Sequence, residues 1–136
     1  MEANPSCKLE DKNKSCCAKS TAIDQTLELK SHWNQAYRKN PENKLGWFET
    51  DFSPSFRLLD QCQLNLTNPC LLVGSGSSRL PDELIKKGVK QLWVTDISEV
   101  AIQEVQDRLD EKLNYRVGDI LEENTLEGIE EIQLWF

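Results

Sequence analysis

Hydrophobic residues follow two different spacings in this chain, one before residue 70 and one after it. Between residues 24 and 39, Leu27, Trp33 and Tyr37 recur at roughly helical spacing, which predicts a helix that ends at Asn40-Pro41. The pair Ser53-Pro54 predicts a second helix, because serine is a good N-cap and proline suits the first turn. The apolar side of this second helix is predicted to hold Phe56, Leu58, Leu59 and Cys62.

After residue 70, short apolar segments alternate with segments of helical character. Pro81 opens one helix and Gly88 ends it, whereas Ser98 caps another helix that runs to about residue 112. Strands that alternate with helices form a parallel sheet with right-handed crossovers, so the predicted fold class is α/β. The predicted strands are 70–73, 91–95, 115–117 and a fourth that contains the alternating residues Ile132, Leu134 and Phe136.

The first 22 residues differ in composition from the rest of the chain. They are rich in Lys, Ser, Asn and Cys and almost lack large apolar side chains, so we predict a disordered tail over 1–22 and a folded domain over 23–136. The formal charge of −7 disfavours nucleic acid as a partner. No apolar run reaches the roughly 18 residues that cross a bilayer, and no signal peptide is recognisable, so we expect a cytoplasmic protein without membrane contact.

The cysteines give no indication of a metal site. No C-x-x-C pair is present and His32 is the only histidine, so the usual ligand spacing is missing. We therefore predict no metal, a reducing compartment, and Cys62 and Cys70 as small core residues. The five cysteines, an odd number at irregular spacing, are Cys7, Cys16, Cys17, Cys62 and Cys70.

Glycines and acids follow the predicted strands one after another. The first strand leads into Gly74-Ser75-Gly76, a turn whose glycines let the backbone bend and let a ligand approach. Arg79 stands where the third glycine of a dinucleotide fingerprint would fall, which argues against a dinucleotide. Asp96 ends the second strand about 20 residues later, where such folds place an acid that accepts from ribose hydroxyls, and Asp119 ends the third. Because parallel strands end at one edge of a sheet, these segments predict a crevice for an adenosine-containing cofactor.

Together these segments resemble the three successive cofactor motifs of class I S-adenosylmethionine-dependent methyltransferases. The matching runs are 72–77 (Leu-Val-Gly-Ser-Gly-Ser), 94–101 and 117–120. Upstream, His32-Trp33, Tyr37 and the Leu-Gly-Trp-Phe-Glu run at 45–49 resemble the HW…Y…GWF segment of small bacterial class I methyltransferases. The elongation-factor lysine methyltransferases of eukaryotes share this layout. The resemblance covers about residues 31–136.

This resemblance implies a Rossmann-like parallel sheet in the order 3-2-1-4 and methyl transfer from S-adenosylmethionine. The acceptor, a protein or a small molecule, is not identified by the sequence. The glycine turn would contact the methionine part of the cofactor, and Asp96 would hold the ribose hydroxyls. Ile97 would pack on the adenine, and Asp119 and Ile120 would meet the adenine edge.

The upstream aromatic residues are implied to fold over the cofactor, which fits the attraction of a sulfonium cation to aromatic faces. His32 is interpreted as a structural residue, and no catalytic residue is assigned. The implied cofactor-binding residues are Trp33, Tyr37, Trp47, Gly74, Ser75, Gly76, Asp96, Ile97, Asp119 and Ile120.

The chain departs from the family pattern in two places. Leu72 stands where the family usually has an acidic residue, shortly before the glycine turn. The chain also stops at Phe136, whereas family members continue through further strands, so the resemblance implies a domain truncated at its C-terminus. The open sheet edge would then expose Ile132, Leu134 and Phe136 and favour self-association.

Two other functions stay open. One is a catalytically inactive fragment or isoform that retains partial cofactor-binding motifs and acts as an interaction module through its edge strand. The other is half of a nicotinamide-dependent oxidoreductase, against which the missing third glycine and the upstream aromatic residues argue. Binding of S-adenosylhomocysteine, but not of NADH, would exclude the oxidoreductase.

Overall fold

A computed structural model describes residues 21–109 and 113–136, and its helices and strands follow the alternation that the sequence predicts. The predicted tail lies outside the described residues except for Thr21 and Ala22. The Thr21 side chain caps the first helix by accepting from the N–H of Asp24 at 3.2 Å. The elements are α1 (Ala22–Lys39), a short 3-10 helix (Glu42–Lys44), α2 (Ser53–Gln61), β1 (Pro69–Val73), α3 (Leu80–Lys87), β2 (Gln91–Asp96), α4 (Glu99–Leu109), β3 (Asn114–Val117) and β4 (Leu134–Trp135).

The four described strands form one parallel sheet in the order β3-β2-β1-β4. This confirms the order 3-2-1-4 and the α/β class. Strand β1 is central, with Leu72 opposite Val94 of β2 and Cys70 opposite Leu134 of β4. The carboxyl ends of β1, β2 and β3 therefore lie side by side, which is where open parallel sheets bind ligands.

Two clusters of apolar side chains pack the helices, one against the sheet and one between α1 and α4. The larger one joins Leu72 and Val94 of the sheet to Leu59 of α2 and Leu84 of α3. Leu72, at the position where the family usually has an acid, is 5 % exposed and belongs to this cluster. The smaller cluster joins α1 and the segment after it to α4. It consists of Tyr37, Leu45 and Ala101, with Trp33, Phe48 and Val100 packed around them.

The beginning and the apolar side of α2 differ from the prediction. Ser53 is the first helical residue rather than the N-cap, a position that Phe52 takes, and the Ser53 N–H donates to the Asp51 carboxylate at 2.9 Å. Leu58 is 65 % exposed and Cys62 is also exposed, so the prediction that both lie on the buried apolar side of α2, and that Cys62 is a core residue, was wrong. They lie four residues apart on the solvent side of the helix, while Leu59 turns inward. The prediction of Cys70 as a buried core residue is confirmed.

The fourth strand is shorter than predicted, and the side chains that it buries are the ones predicted to be exposed. Leu134 and Phe136 are half-buried against the larger cluster and Ile132 is half-buried as well, so the prediction that these three residues are exposed was wrong. Trp135 is the exposed residue instead, because successive side chains of a strand point to opposite faces. The backbone ladder continues past the strand, since the Phe136 N–H donates to the Leu71 carbonyl at 2.9 Å. Within the described residues, no helix is both long and apolar enough to cross a membrane.

Candidate functional site

A cavity of about 450 Å³ opens at the carboxyl ends of β1, β2 and β3. Eight of the ten residues implied by the family resemblance line it, and the other two, Ser75 and Gly76, do not. Among the lining residues the only charged side chains are the carboxylates of Asp96 and Asp119. The lining consists of Leu29, Trp33, Tyr37, Trp47, Val73, Gly74, Thr95, Asp96, Ile97, Gly118, Asp119, Ile120 and Leu121.

The two glycines of the turn after β1 have different surroundings. Gly74 has a φ of +61° and no atom within 4 Å of the place where a Cβ would stand, so its backbone is open to a ligand. A Cβ on Gly76 would instead overlap the Tyr37 hydroxyl and lie 3.2 Å from Tyr37 Cζ. Ser75 is buried, and its hydroxyl donates to the Gly76 carbonyl at 3.1 Å. Of this turn, only Gly74 faces the cavity.

Asp96 joins the glycine turn to the start of α4. Its Oδ2 accepts from the Gly76 N–H and its Oδ1 from the Ser98 N–H, both at 2.8 Å. Burial raises the pKa of Asp96 above the usual value, while the backbone N–H groups of Ser98, Gly76 and Ile97 oppose that rise. Because an ionised carboxylate offers about four lone-pair sites, Asp96 can still accept from ligand hydroxyls in the cavity.

Asp119 holds the segment after β3 against α1. Its Oδ1 accepts from the Leu121 N–H at 2.9 Å and its Oδ2 from the Thr26 hydroxyl at 3.1 Å. The apolar side chains of Ile97, Ile120 and Leu121 lie beside the two carboxylates. This end of the cavity therefore combines acceptors with apolar surface, as an adenosine group requires.

Three aromatic side chains, Trp33, Tyr37 and Trp47, form the opposite side of the cavity, and we call them the aromatic wall. The ring of Trp47 is perpendicular to both others, with centroids 5.6 Å from Trp33 and 6.2 Å from Tyr37. Trp33 and Tyr37 are 6.4 Å apart, one turn from each other on α1. Burial, together with the charge of Asp96, raises the pKa of Tyr37 to about 12, so its phenol is neutral at physiological pH. A wall of neutral aromatic faces beside two carboxylates favours a cation.

Five lining residues were not predicted from the sequence, although the spacing or the sequence neighbours of four of them pointed to the site. Leu29 precedes Trp33 by one helical turn, so helical spacing from Trp33 would have found it. Val73 and Thr95 are strand-end neighbours of the named turn and of Asp96, and Gly118 directly precedes Asp119. Leu121 is 88 % exposed and carries no signal in the sequence. Within the described residues, no three His, Cys, Asp or Glu side chains are grouped so that they could hold a metal ion.

No protein-family model matches the chain, and no curated protein sequence matches it. Solved structures do match. Phosphoethanolamine N-methyltransferase 1 of Haemonchus contortus, in complex with phosphoethanolamine and S-adenosylhomocysteine, is 25 % identical with a TM-score of 0.50. That alignment covers 74 % of this chain and 22 % of the Haemonchus protein.

A second similar structure is magnesium protoporphyrin IX methyltransferase of Synechocystis PCC 6803. With bound S-adenosylmethionine it is 19 % identical with a TM-score of 0.51, over 74 % of this chain and 57 % of that one. With S-adenosylhomocysteine it is 17 % identical with a TM-score of 0.50, over 71 % and 52 % of the two chains. This protein therefore has the fold of class I S-adenosylmethionine-dependent methyltransferases, and it spans between 22 % and 57 % of the length of these structures.

Proposed function

We propose that the cavity binds S-adenosylmethionine and that the chain takes part in methyl transfer from it. The observation that carries this proposal is that Gly74, Asp96 and the aromatic wall face one cavity of about 450 Å³. The open backbone of Gly74, with nothing near its missing Cβ, gives the methionine part a surface to approach. The similar structures with bound S-adenosylmethionine or S-adenosylhomocysteine support the same ligand.

The residues would hold the cofactor as the resemblance implies. We expect Asp96 to accept from the ribose hydroxyls, Ile97 to pack on the adenine, and Asp119 and Ile120 to meet the adenine edge. When bound, S-adenosylmethionine supplies a methyl group on a sulfonium, where a nucleophile displaces the thioether. The contribution of this chain is to bind and orient the cofactor, which is the main requirement when the acceptor is already nucleophilic.

The acceptor is a protein or a small molecule, and we assign cofactor-binding roles only. The finer similarity to the HW…Y…GWF methyltransferases and the elongation-factor lysine methyltransferases remains a prediction from residues 31–49. The cytoplasmic location is likewise a prediction.

The test is calorimetric titration of the whole chain with S-adenosylhomocysteine and, separately, with NADH. We expect S-adenosylhomocysteine to bind and NADH not to bind. Asp96→Ala should weaken the affinity by about tenfold or more, because hydrogen bonds to a charged group are lost. The matched control is Asp107→Ala, an exposed acid on α4 outside the cavity lining.

Circular dichroism of each variant checks that it folds, since Asp96 also bonds Gly76 and Ser98. An affinity unchanged in folded Asp96→Ala would show that Asp96 is wrongly assigned. Failure of the unaltered chain to bind either ligand would contradict the proposal and favour the interaction-module alternative.

A further inference from the structure

Asn34 is a polar residue buried in the contact between α1 and α4. Its side chain is 6 % exposed, in the same contact as the apolar cluster of Tyr37, Leu45 and Ala101. Burying an amide among apolar groups is unfavourable unless its hydrogen bonds are satisfied. Every bond described for this amide goes to the first residues of α4 or to Ser98, directly before it.

The Asn34 side chain caps α4 from another helix. Its Oδ1 accepts from the Ser98 hydroxyl at 2.7 Å and from the Val100 N–H at 3.3 Å, and its Nδ2 donates to Glu99 Oε1 at 3.4 Å. The Ser98 hydroxyl in turn accepts from the Ala101 N–H at 3.2 Å. The free N–H groups at the start of a helix require such acceptors, and here α1 provides one of them.

These bonds belong to a closed ring of contacts around the proposed cofactor site. From Asn34 the ring runs through Ser98 to the Oδ1 of Asp96, and from the Oδ2 of Asp96 to the Gly76 N–H. The hydroxyl of Tyr37 lies against Gly76 and returns the ring to α1, three residues after Asn34. The helix that carries Trp33 and Tyr37 is therefore connected to the surroundings of Asp96 in two places, by the hydrogen bonds through Ser98 and by the approach of the Tyr37 hydroxyl to Gly76.

We infer that Asn34 is a positioning residue that fixes the aromatic wall relative to Asp96. Without the Asn34 acceptor, α1 would stay attached through apolar contacts, the Thr26–Asp119 hydrogen bond near its N-terminus, and the Lys30–Glu99 ion pair. That ion pair is 3.2 Å long and largely exposed, so it contributes little. The separation between the wall and the carboxylate would then vary. This inference rests on the proposed function for its effect on ligand affinity, but not for its effect on α1.

The test compares two changes at Asn34 with one neighbouring control. Asn34→Leu keeps the size of the side chain and removes the acceptor. Asn34→Asp combined with Glu99→Gln keeps an acceptor for Ser98 and Val100. It also keeps the bond between residues 34 and 99 with the roles exchanged, since the new amide at residue 99 donates to the new carboxylate at residue 34. Gln35→Leu is the control, since Gln35 is an exposed amide on the same helix.

Two measurements are made on each variant of the full chain: calorimetric affinity for S-adenosylhomocysteine, and amide hydrogen exchange. Asn34→Leu should weaken the affinity about tenfold, as expected when a buried hydrogen-bond network loses an acceptor. Its exchange should rise in residues 33–39 and at Val100, while β1 and β2 keep their protection. The double variant should recover the affinity to within about threefold, and the control should match the unaltered chain.

The outcomes separate this inference from the proposed function. If the unaltered chain does not bind S-adenosylhomocysteine, the proposed function fails and the exchange measurement alone decides the role of Asn34. Unchanged protection of residues 33–39 in Asn34→Leu, or an equal loss of protection throughout the sheet, would overturn the inference. So would an unchanged affinity in Asn34→Leu when the unaltered chain binds the ligand.

Discussion

The hydroxyl of Tyr37 occupies the space that a side chain on Gly76 would need. A Cβ at residue 76 would also lie 3.2 Å from Tyr37 Cζ, whereas a Cβ at Gly74 would meet nothing within 4 Å. Both residues have a positive φ, +53° at Gly76 and +61° at Gly74. Gly76 is thus required by the packing of the protein itself, while the open space above Gly74 is left to the ligand we propose.

Gly76→Ala is expected to destabilise the protein by about 2–3 kcal/mol, because it adds left-handed backbone strain to overpacking against the phenol. Urea denaturation monitored by circular dichroism measures this loss. Adding Tyr37→Phe removes the colliding hydroxyl and should recover part of the stability. A denaturation midpoint in Gly76→Ala equal to that of the unaltered chain would show that Tyr37 does not occupy this space.

Gly74→Ala is expected to lower the stability only slightly and the affinity for the ligand strongly, unlike Gly76→Ala. The new methyl group meets no protein atom, so the cost in stability should be limited to the backbone strain of about 1 kcal/mol. The methyl group would stand in the open space beside the cavity, and we expect the affinity for S-adenosylhomocysteine to fall by about tenfold or more. Calorimetric titration and urea denaturation of the same sample measure both quantities. Normal affinity in Gly74→Ala would mean that the ligand does not approach this backbone.

The sheet was predictable from the sequence because its signals are local. The apolar run of β1 and the acids and glycines at the strand ends each lie within a few residues of the feature they predict. A parallel sheet then brings the strand ends together without further information. The position of Asp96 beside the glycine turn follows from these rules alone.

Long-range partners were not predictable in the same way. The bond from Thr26 to Asp119 and the bonds from Asn34 to the start of α4 join residues more than 60 positions apart, and no local pattern encodes them. The contact between Gly76 and the Tyr37 phenol was not predictable for the same reason, because only the folded chain brings the two together. Leu58 was predicted on the apolar side of α2, but which side of the helix is buried depends on where α2 packs, and Leu58 is exposed.

The raised pKa of Tyr37 predicts that the stability of the folded protein falls at alkaline pH. The folded protein keeps the Tyr37 proton up to about pH 12, whereas the unfolded chain loses it near the ordinary value of 10.0. Between these pH values the folded state binds more protons, so the contribution of Tyr37 to stability falls as the pH rises from 10 to 12 and is constant below 10. Absorbance of tyrosinate during an alkaline titration should show a late step from Tyr37.

Tyr37→Phe should remove that late step, and Tyr115→Phe, the matched control, should retain it. The slope of stability against pH should also become smaller in Tyr37→Phe. If the late step survives in Tyr37→Phe, the buried tyrosine has been misidentified.

Arg108 of α4 is bonded to the turn after β1 and to Asp82 of α3. We therefore expect its removal to lower the free energy of unfolding more than the removal of a surface charge does. Its Nη2 donates to the Ser78 carbonyl at 2.6 Å and to Asp82 Oδ2 at 2.9 Å, and its Nε donates to Asp82 Oδ1 at 3.0 Å. The side chains of Arg108 and Asp82 are only 17 % and 14 % exposed. Arg108→Met would leave the largely buried Asp82 carboxylate without its cation, so we expect the free energy of unfolding to fall by about 2 kcal/mol.

The matched control is Lys86→Met, which breaks the exposed pair with Glu83 and should lower the stability much less than Arg108→Met does. Both variants are compared by urea denaturation. If the unpaired carboxylate causes the loss, Arg108→Met combined with Asp82→Asn should be more stable than Arg108→Met alone. Equal losses in Arg108→Met and Lys86→Met would show that the bonds to Ser78 and Asp82 do not stabilise the turn that carries Gly74.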